Sequence, residues 1–130
     1  MIDVGKLILA MAKPAAYQDV LLRVAESGEG EEAVERELIG TTHSEAGAYL
    51  LWQWGLPITT VECVAFHHRV DLMQTGPYEL LAAVHAADGF YEILACGEPA
   101  SRVDLRFMER AGVLGDLDAW QQIVRAAIED

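Results

Sequence analysis

The chain has 130 residues, 52% of them apolar, and a formal net charge of -12. That length and apolar content support a single domain with a packed core and exclude a disordered chain. A surface this acidic repels phosphate backbones and anionic lipid, so neither nucleic acid nor a membrane is an expected partner, whereas a protein with a basic face would be compatible.

The two cysteines, Cys63 and Cys96, show no metal-binding or redox spacing. Both lie in apolar stretches, where a buried free thiol is the default, and this fits a reducing cytoplasm. No apolar run is long enough to span a bilayer. The apolar start, residues 1–12, carries Asp3 and Lys6 and lacks a basic lead-in, so it is a poor signal peptide.

The periodicity is helical nearly throughout, and no alternating strand pattern is bounded by hairpin turns. A first helix over residues 1–11 stops near Pro14, which suits the first turn of a second helix running to about residue 24. Ser27-Gly28-Glu29-Gly30 breaks that helix, and a short acidic one follows over residues 31–39, closed by Gly40. Its acidic run, Glu29 to Glu37, reads as a solvated face. Thr42-His43-Ser44-Glu45 is a capping box that opens a helix to Trp54, and Gly55-Leu56-Pro57 closes it. Residues 58–68 form the next helix and residues 69–76 a loop. Pro77 opens a long helix to about residue 95, stopped by Cys96-Gly97-Glu98-Pro99. Two more helices cover about residues 103–111 and 117–129, the last with Trp120, Val124, Ala127 and Ile128 on its inner face.

The fold class is therefore all-α. The chain opens directly on an apolar helical face, with no cap before it, and so reads as a piece whose earlier helices precede Met1.

The ionisable residues on these stripes carry the chemical interest. His43 heads a face with Gly47, Leu50 and Trp54, and Trp54 is expected in the core. Val61, Ala65 and His68 share a face, with His67 beside it. Asp88 lines up with Leu81, Val84 and Tyr91, and Asp3 with Leu7 and Ala10. A carboxylate on an inward face needs a partner or an aqueous cleft, and the histidines are the candidates. Imidazole with carboxylate suits iron, manganese or zinc, but equally suits a metal-free hydrogen-bond network. His85 reads as an outer partner or a surface residue. Trp52, two residues before Trp54, points to another side of the helix, either exposed or at an interface.

Several ordered stretches resemble the HDOD family, the HD-related output domain of bacterial signalling proteins. They are Glu35-Arg36-Glu37-Leu38-Ile39-Gly40, His43-Ser44-Glu45-Ala46-Gly47-Ala48, Trp54-Gly55-Leu56-Pro57 and Phe66-His67-His68. Ala83-Val84-His85-Ala86-Ala87-Asp88 and Gly112-Val113-Leu114 are similar to later parts of that family, so the likeness runs over almost the whole chain. The resemblance implies an HD-like helical bundle, here without its N-terminal helices. It also implies kinship with HD phosphohydrolases, including the HD-GYP enzymes that cut cyclic di-GMP. Those enzymes hold metals with a His-Asp doublet, further histidines and a late Asp, and the metals activate water.

Carried over position by position, Asp3 matches the doublet Asp, His43 the next histidine, His67 and His68 the paired histidines, and Asp88 the late Asp. Lys6 and Arg69 are the cations that a phosphate could meet. The departures are as informative. Ile2 stands where the doublet has His and cannot ligate a metal. Arg69 stands where the HD-GYP pattern has Glu, and the DGxGYP run is absent, residues 69–78 reading RVDLMQTGPY.

The resemblance therefore implies a non-catalytic output module with a degenerate metal site. It would act through signalling proteins or domains and need no cofactor, and the apolar surface that missing helices expose predicts association with itself. The alternatives are a metal-dependent phosphohydrolase for a cyclic dinucleotide or nucleotide, retaining iron, manganese or zinc, and a purely structural assembly role.

Overall fold

The computed structural model describes residues 2–73 and 78–130, and for Ser101 the backbone only. Among the described residues there are eight α-helices, three short 3-10 turns and no strand. The helix start expected at Pro77 lies outside the described residues. No helix among them is long and apolar enough to cross a membrane. By internal packing the chain divides into two compact units, Met1–Ala65 and Phe66–Asp130.

The first unit holds α1 (Val4–Ala12), α2 (Pro14–Ser27), α3 (Glu31–Ile39), α4 (His43–Gln53) and α5 (Ile58–Phe66), whose last residue begins the second unit. Local chemistry sets the boundaries. Pro14 is the first residue of α2, where its missing N–H costs nothing. Gly28 and Gly40 end α2 and α3 at φ of 69° and 92°, a conformation that costs glycine little. Thr42 accepts the Glu45 N–H and Glu45 reaches back to the Thr42 N–H, so the expected capping box opens α4.

α1 packs on α4 and α2, and α3 on α2 and α4. Buried Ala48, Leu51, Val61 and Val64 form an apolar cluster, with Ile2, Leu56 and Ala65 packed against it. α1 meets α4 through Gly5, where a Cβ would overlap the carbonyl oxygen of His43. The inner line of α1 is consequently Gly5 and Leu9, not Asp3, Leu7 and Ala10, and Leu7 is 67% exposed. The expectation for Trp54 also fails. The buried residues of α4 are His43, Ser44, Gly47, Ala48 and Leu51. The chain from Trp52 to Gly55 is exposed on every side, and Trp54 is a cap residue that is 67% exposed.

The second unit holds a 3-10 turn (Val70–Leu72), α6 (Glu79–Cys96), α7 (Leu105–Ala111) and α8 (Leu117–Glu129), with further 3-10 turns at Ala100–Arg102 and Leu114–Asp116. α6 is its axis and packs against α7 and α8. Its buried stripe is Leu81, Ala82, His85, Ala86, Gly89 and Phe90. Asp88 lies beside that stripe, half-buried, and Tyr91 is exposed. α7 starts at Leu105, later than its apolar pattern suggests, because Asp104 accepts the Phe107 N–H and caps it. On α8 the packed line is Leu117, Trp120, Gln121 and Val124, all half-buried. Ala127 and Ile128, expected inside, are exposed because that line ends a turn before the helix does. Cys63 is buried as expected, and burial pushes its thiol pKa up. Cys96, the last residue of α6, is exposed instead.

Candidate functional site

In the first unit the site grows from the short α3–α4 connection. Gly40 stops α3, Thr42 starts α4, and between them the chain reverses so that Glu35 faces His43. Glu35 and His43 are both fully buried, at 0% exposure. The Glu35 carboxylate accepts the His43 backbone N–H at 2.9 Å, one of the amides that a helix start leaves without an internal partner. It also accepts from His43 Nδ1, at 2.9 and 2.8 Å to its two oxygens. A carboxylate only accepts, so this contact requires a proton on Nδ1.

The acidic run from Glu29 to Glu37 was expected to be a solvated face. It is largely that, but Glu35 is the exception and the residue the sequence reading missed. A signal was present: Glu35 follows buried Val34 and lies four residues before Ile39, on the side of α3 that turns inward.

On the other side of the ring, His43 Nε2 faces Asp3 Oδ1 at 3.5 Å. Asp3 occupies the N-cap position of α1, and the close approach of Gly5 to α4 carries it there. Lys6 lies 3.6 Å from Asp3 Oδ1 and 3.2 Å from Glu31 Oε2, so its charge is shared between two carboxylates. Burial works against the charged form of His43, but the hydrogen bond and charge of Glu35 outweigh it, and the pKa is raised. Lys6 behaves alike: burial lowers its pKa, Glu31 and Asp3 raise it, and the net direction is up.

Glu31, Glu35 and His43 each offer a ligand atom within 4.8 Å of the others, a group that could hold a metal ion. The hydrogen bonds qualify that geometry, because Glu35 is committed to the backbone and to Nδ1 of His43. The better fit is on the opposite side. Two ligands on one divalent ion, each bonded at about 2.1 Å, lie roughly 3–3.5 Å apart, which is the separation of Asp3 Oδ1 and His43 Nε2. Carboxylate behind, imidazole, and a ligating face in front is the usual build of a histidine metal ligand.

The second unit holds the other expected residues. His67 and His68 do not lie on α5, which ends at Phe66, but in the turn after it. The His67 carbonyl accepts from His85 Nδ1 at 2.7 Å instead of continuing the helix. The two rings pack with centroids 4.0 Å apart. His68 Nδ1 lies 3.8 Å from Asp88 Oδ2, so the Asp88 carboxylate faces the His68 ring. Arg69 pairs with Asp71, at 3.2 Å and 3.4 Å, and is exposed. That contact holds the Asp71 carboxyl below its usual range.

His85 is not a surface residue. It is buried, Nδ1 donates to the His67 carbonyl, and Nε2 accepts the Asp104 N–H at 3.0 Å. Both ring nitrogens are taken by backbone groups. Of the expected residues, Asp3 and His43 belong to the first unit and His67, His68 and Asp88 to the second.

The family model of the HDOD domain matches residues 1–70. The match includes Asp3, Glu35, His43, His67 and His68, and stops before His85, Asp88 and the Gly112-Val113-Leu114 stretch. No curated protein and no solved structure matches the chain.

Proposed function

The chain belongs to the HDOD domain family, and we propose that it works as a cytoplasmic bacterial signalling module, non-catalytic, that acts by contact with other proteins. The observation that carries this reading is Ile2. At the position where the resemblance places a metal-binding histidine, this chain has an aliphatic side chain packed on Ala48, Leu51, Val61 and Val64. A residue used for packing in this way supplies no ligand beside Asp3, and metal-assisted attack on phosphorus loses one of its holding points.

A contact role is supported by the far end of α4. Tyr49, Trp52, Trp54 and Ile58 are all exposed, and the Tyr49 and Trp52 rings lie 6.2 Å apart. Aromatic surface of this kind is typical of protein interfaces. Signalling proteins or domains and a second copy of the chain are the partners we expect.

The second reading is a metal-dependent phosphohydrolase. It is favoured by one feature, Asp3 Oδ1 facing His43 Nε2 at 3.5 Å. One experiment separates the two. The protein, purified without chelator, is assayed for bound iron, manganese and zinc. It is then incubated with cyclic di-GMP and with a simple phosphodiester, in the presence of Mn2+ or Fe2+. We expect no turnover. Hydrolysis that disappears in His43→Ala and His68→Ala would overturn the non-catalytic reading. Sedimentation equilibrium tests the contact role: self-association weakened by Trp52→Ala supports it, and a monomer at every concentration removes the second copy from the list of partners.

A further inference from the structure

We infer that Glu35 is a positioning residue: its buried carboxylate keeps a proton on Nδ1 of His43 and so directs the Nε2 atom of that ring at Asp3. The inference rests on reading Asp3 and His43 as the surviving part of an HD-type position, and it assigns a role to a residue outside that set.

The geometry carries it. A fully buried carboxylate is expensive unless its oxygens are satisfied, and Glu35 satisfies them with two groups of one residue. Thr42 already caps α4, and satisfying the His43 N–H needs only the backbone contact of Glu35. The ring contact goes beyond that need. Which ring nitrogen is left to take a proton or a metal is set by the hydrogen bond the other nitrogen makes. With Nδ1–H fixed by Glu35, the second nitrogen is the atom that takes either a further proton or one divalent cation, and the Asp3 carboxylate stabilises both.

The same unit shows how the pair is kept in place. Gly5 lets α1 lie against the backbone of α4, which fixes Asp3 relative to Nε2. Thr42 fixes the start of α4, which fixes the ring relative to Glu35. Glu35, His43 and Asp3 therefore form one line, carboxylate, imidazole, carboxylate, with the first carboxylate sealed from water and the last partly open to it. A sealed carboxylate cannot reorient to become a ligand without leaving the His43 N–H, so its effect on anything bound at Nε2 passes through the ring.

The test reads the ring directly. The full chain, treated with chelator and labelled with nitrogen-15 in its histidines, is studied by long-range proton–nitrogen correlation at a pH high enough for a neutral ring. His43→Gln identifies the signal. The expected result is a protonated Nδ1 and an unprotonated Nε2. Glu35→Gln is close in shape and keeps an oxygen for the His43 N–H, but its amide nitrogen donates to Nδ1. It should move the proton to Nε2 while the far-ultraviolet circular dichroism stays as in the wild type. Glu35→Asp, which keeps a carboxylate, should keep the proton on Nδ1.

A merely structural glutamate would leave the ring signature of Glu35→Gln unchanged, and that result overturns the inference. So does a wild-type ring with its neutral proton on Nε2. Titration with Zn2+ alone separates this from the reading beneath it. Binding that shifts the Nε2 signal and weakens roughly 10–100-fold in Glu35→Gln supports both. Zn2+ that leaves the Nε2 signal unmoved, with the proton still on Nδ1, removes the metal-site reading and leaves the role of Glu35 standing.

Discussion

Each unit has a buried histidine bound through its ring, His43 in the first and His85 in the second, and the two are held in opposite ways. His85 is closed by backbone groups, a carbonyl on one nitrogen and an amide on the other. It ties the turn after α5 to α6 and to the cap of α7, and nothing about it calls for a charge. His43 lies between carboxylates, Glu35 on Nδ1 and Asp3 toward Nε2. Its surroundings favour a positive ring or a bound cation. Burial and residue type are the same in both places; the partner chemistry decides which one staples the fold and which one is equipped to bind.

Removing each ring should show that difference at its largest. His43→Ala leaves Glu35 buried with half of its partners gone, and breaking a buried charged pair costs roughly 3–5 kcal/mol. His85→Ala leaves the His67 carbonyl and the Asp104 N–H without their bonds and opens a small cavity, a loss of about 2 kcal/mol. Urea unfolding of the two variants measures both. Equal losses would mean that the carboxylates around His43 add nothing to a simple buried ring.

The next effect isolates Asp3. Gly5→Ala places a methyl group on the His43 carbonyl and forces α1 away from α4, at a cost of about 3 kcal/mol. Asp3 should move off Nε2, while the Glu35 contact, which does not involve α1, should persist. Thermal melts together with the His43 nitrogen signals check this. A variant that melts like the wild type would show that the close approach of the two helices is not needed.

The sequence made the boundaries of these regions plain and their interiors much less so. Gly28, Gly40 and Gly97 end helices where the pattern says they should, and the box at Thr42 and Glu45 opens α4 as read. Such signals are local, since a cap or a left-handed glycine depends on a few neighbouring residues. Which side of a helix faces inward depends on a neighbour the sequence does not name. Asp3, Leu7 and Ala10 share a face, yet the absent side chain of Gly5 draws α4 to another side of α1 and leaves Leu7 exposed. Trp54 continues the line of His43 and Gly47 but stands beyond the packed part of its helix. Glu35 was hidden for a compositional reason: among the acids of residues 29–37, one buried carboxylate looks like the rest. The residues of the candidate site were legible as types, and the partner that orients one of them was not.

Caps give a smaller contrast between the units. Thr42 caps α4 next to His43, and Asp104 caps α7 while its own N–H is held by His85. Thr42→Ala and Asp104→Ala should each cost about 1 kcal/mol. Thr42→Ala should also alter the His43 nitrogen signals, because Thr42 sets the start of the helix that carries the ring. Signals that stay in place in Thr42→Ala would show that the cap does not position the ring.

The smallest effect at neutral pH becomes the clearest in alkali. Tyr17 is buried in the carboxylate-rich first unit, and burial, followed by the charge of Glu31, pushes its pKa up from 10.0 to about 12. The folded protein therefore keeps the phenol proton over a range in which the unfolded chain has lost it. Stability from this group is complete below pH 10 and is lost as pH rises toward 12. Tyr17→Phe should change stability by less than about 1 kcal/mol at pH 7. It should also lose less stability than the wild type between pH 10 and pH 12, because phenylalanine has no proton to give up. Urea melts at a series of alkaline pH values, run on both proteins, cancel the lysines that titrate in the same range. Parallel curves would mean that Tyr17 ionises as freely folded as unfolded, and that neither its burial nor the Glu31 charge holds the phenol proton.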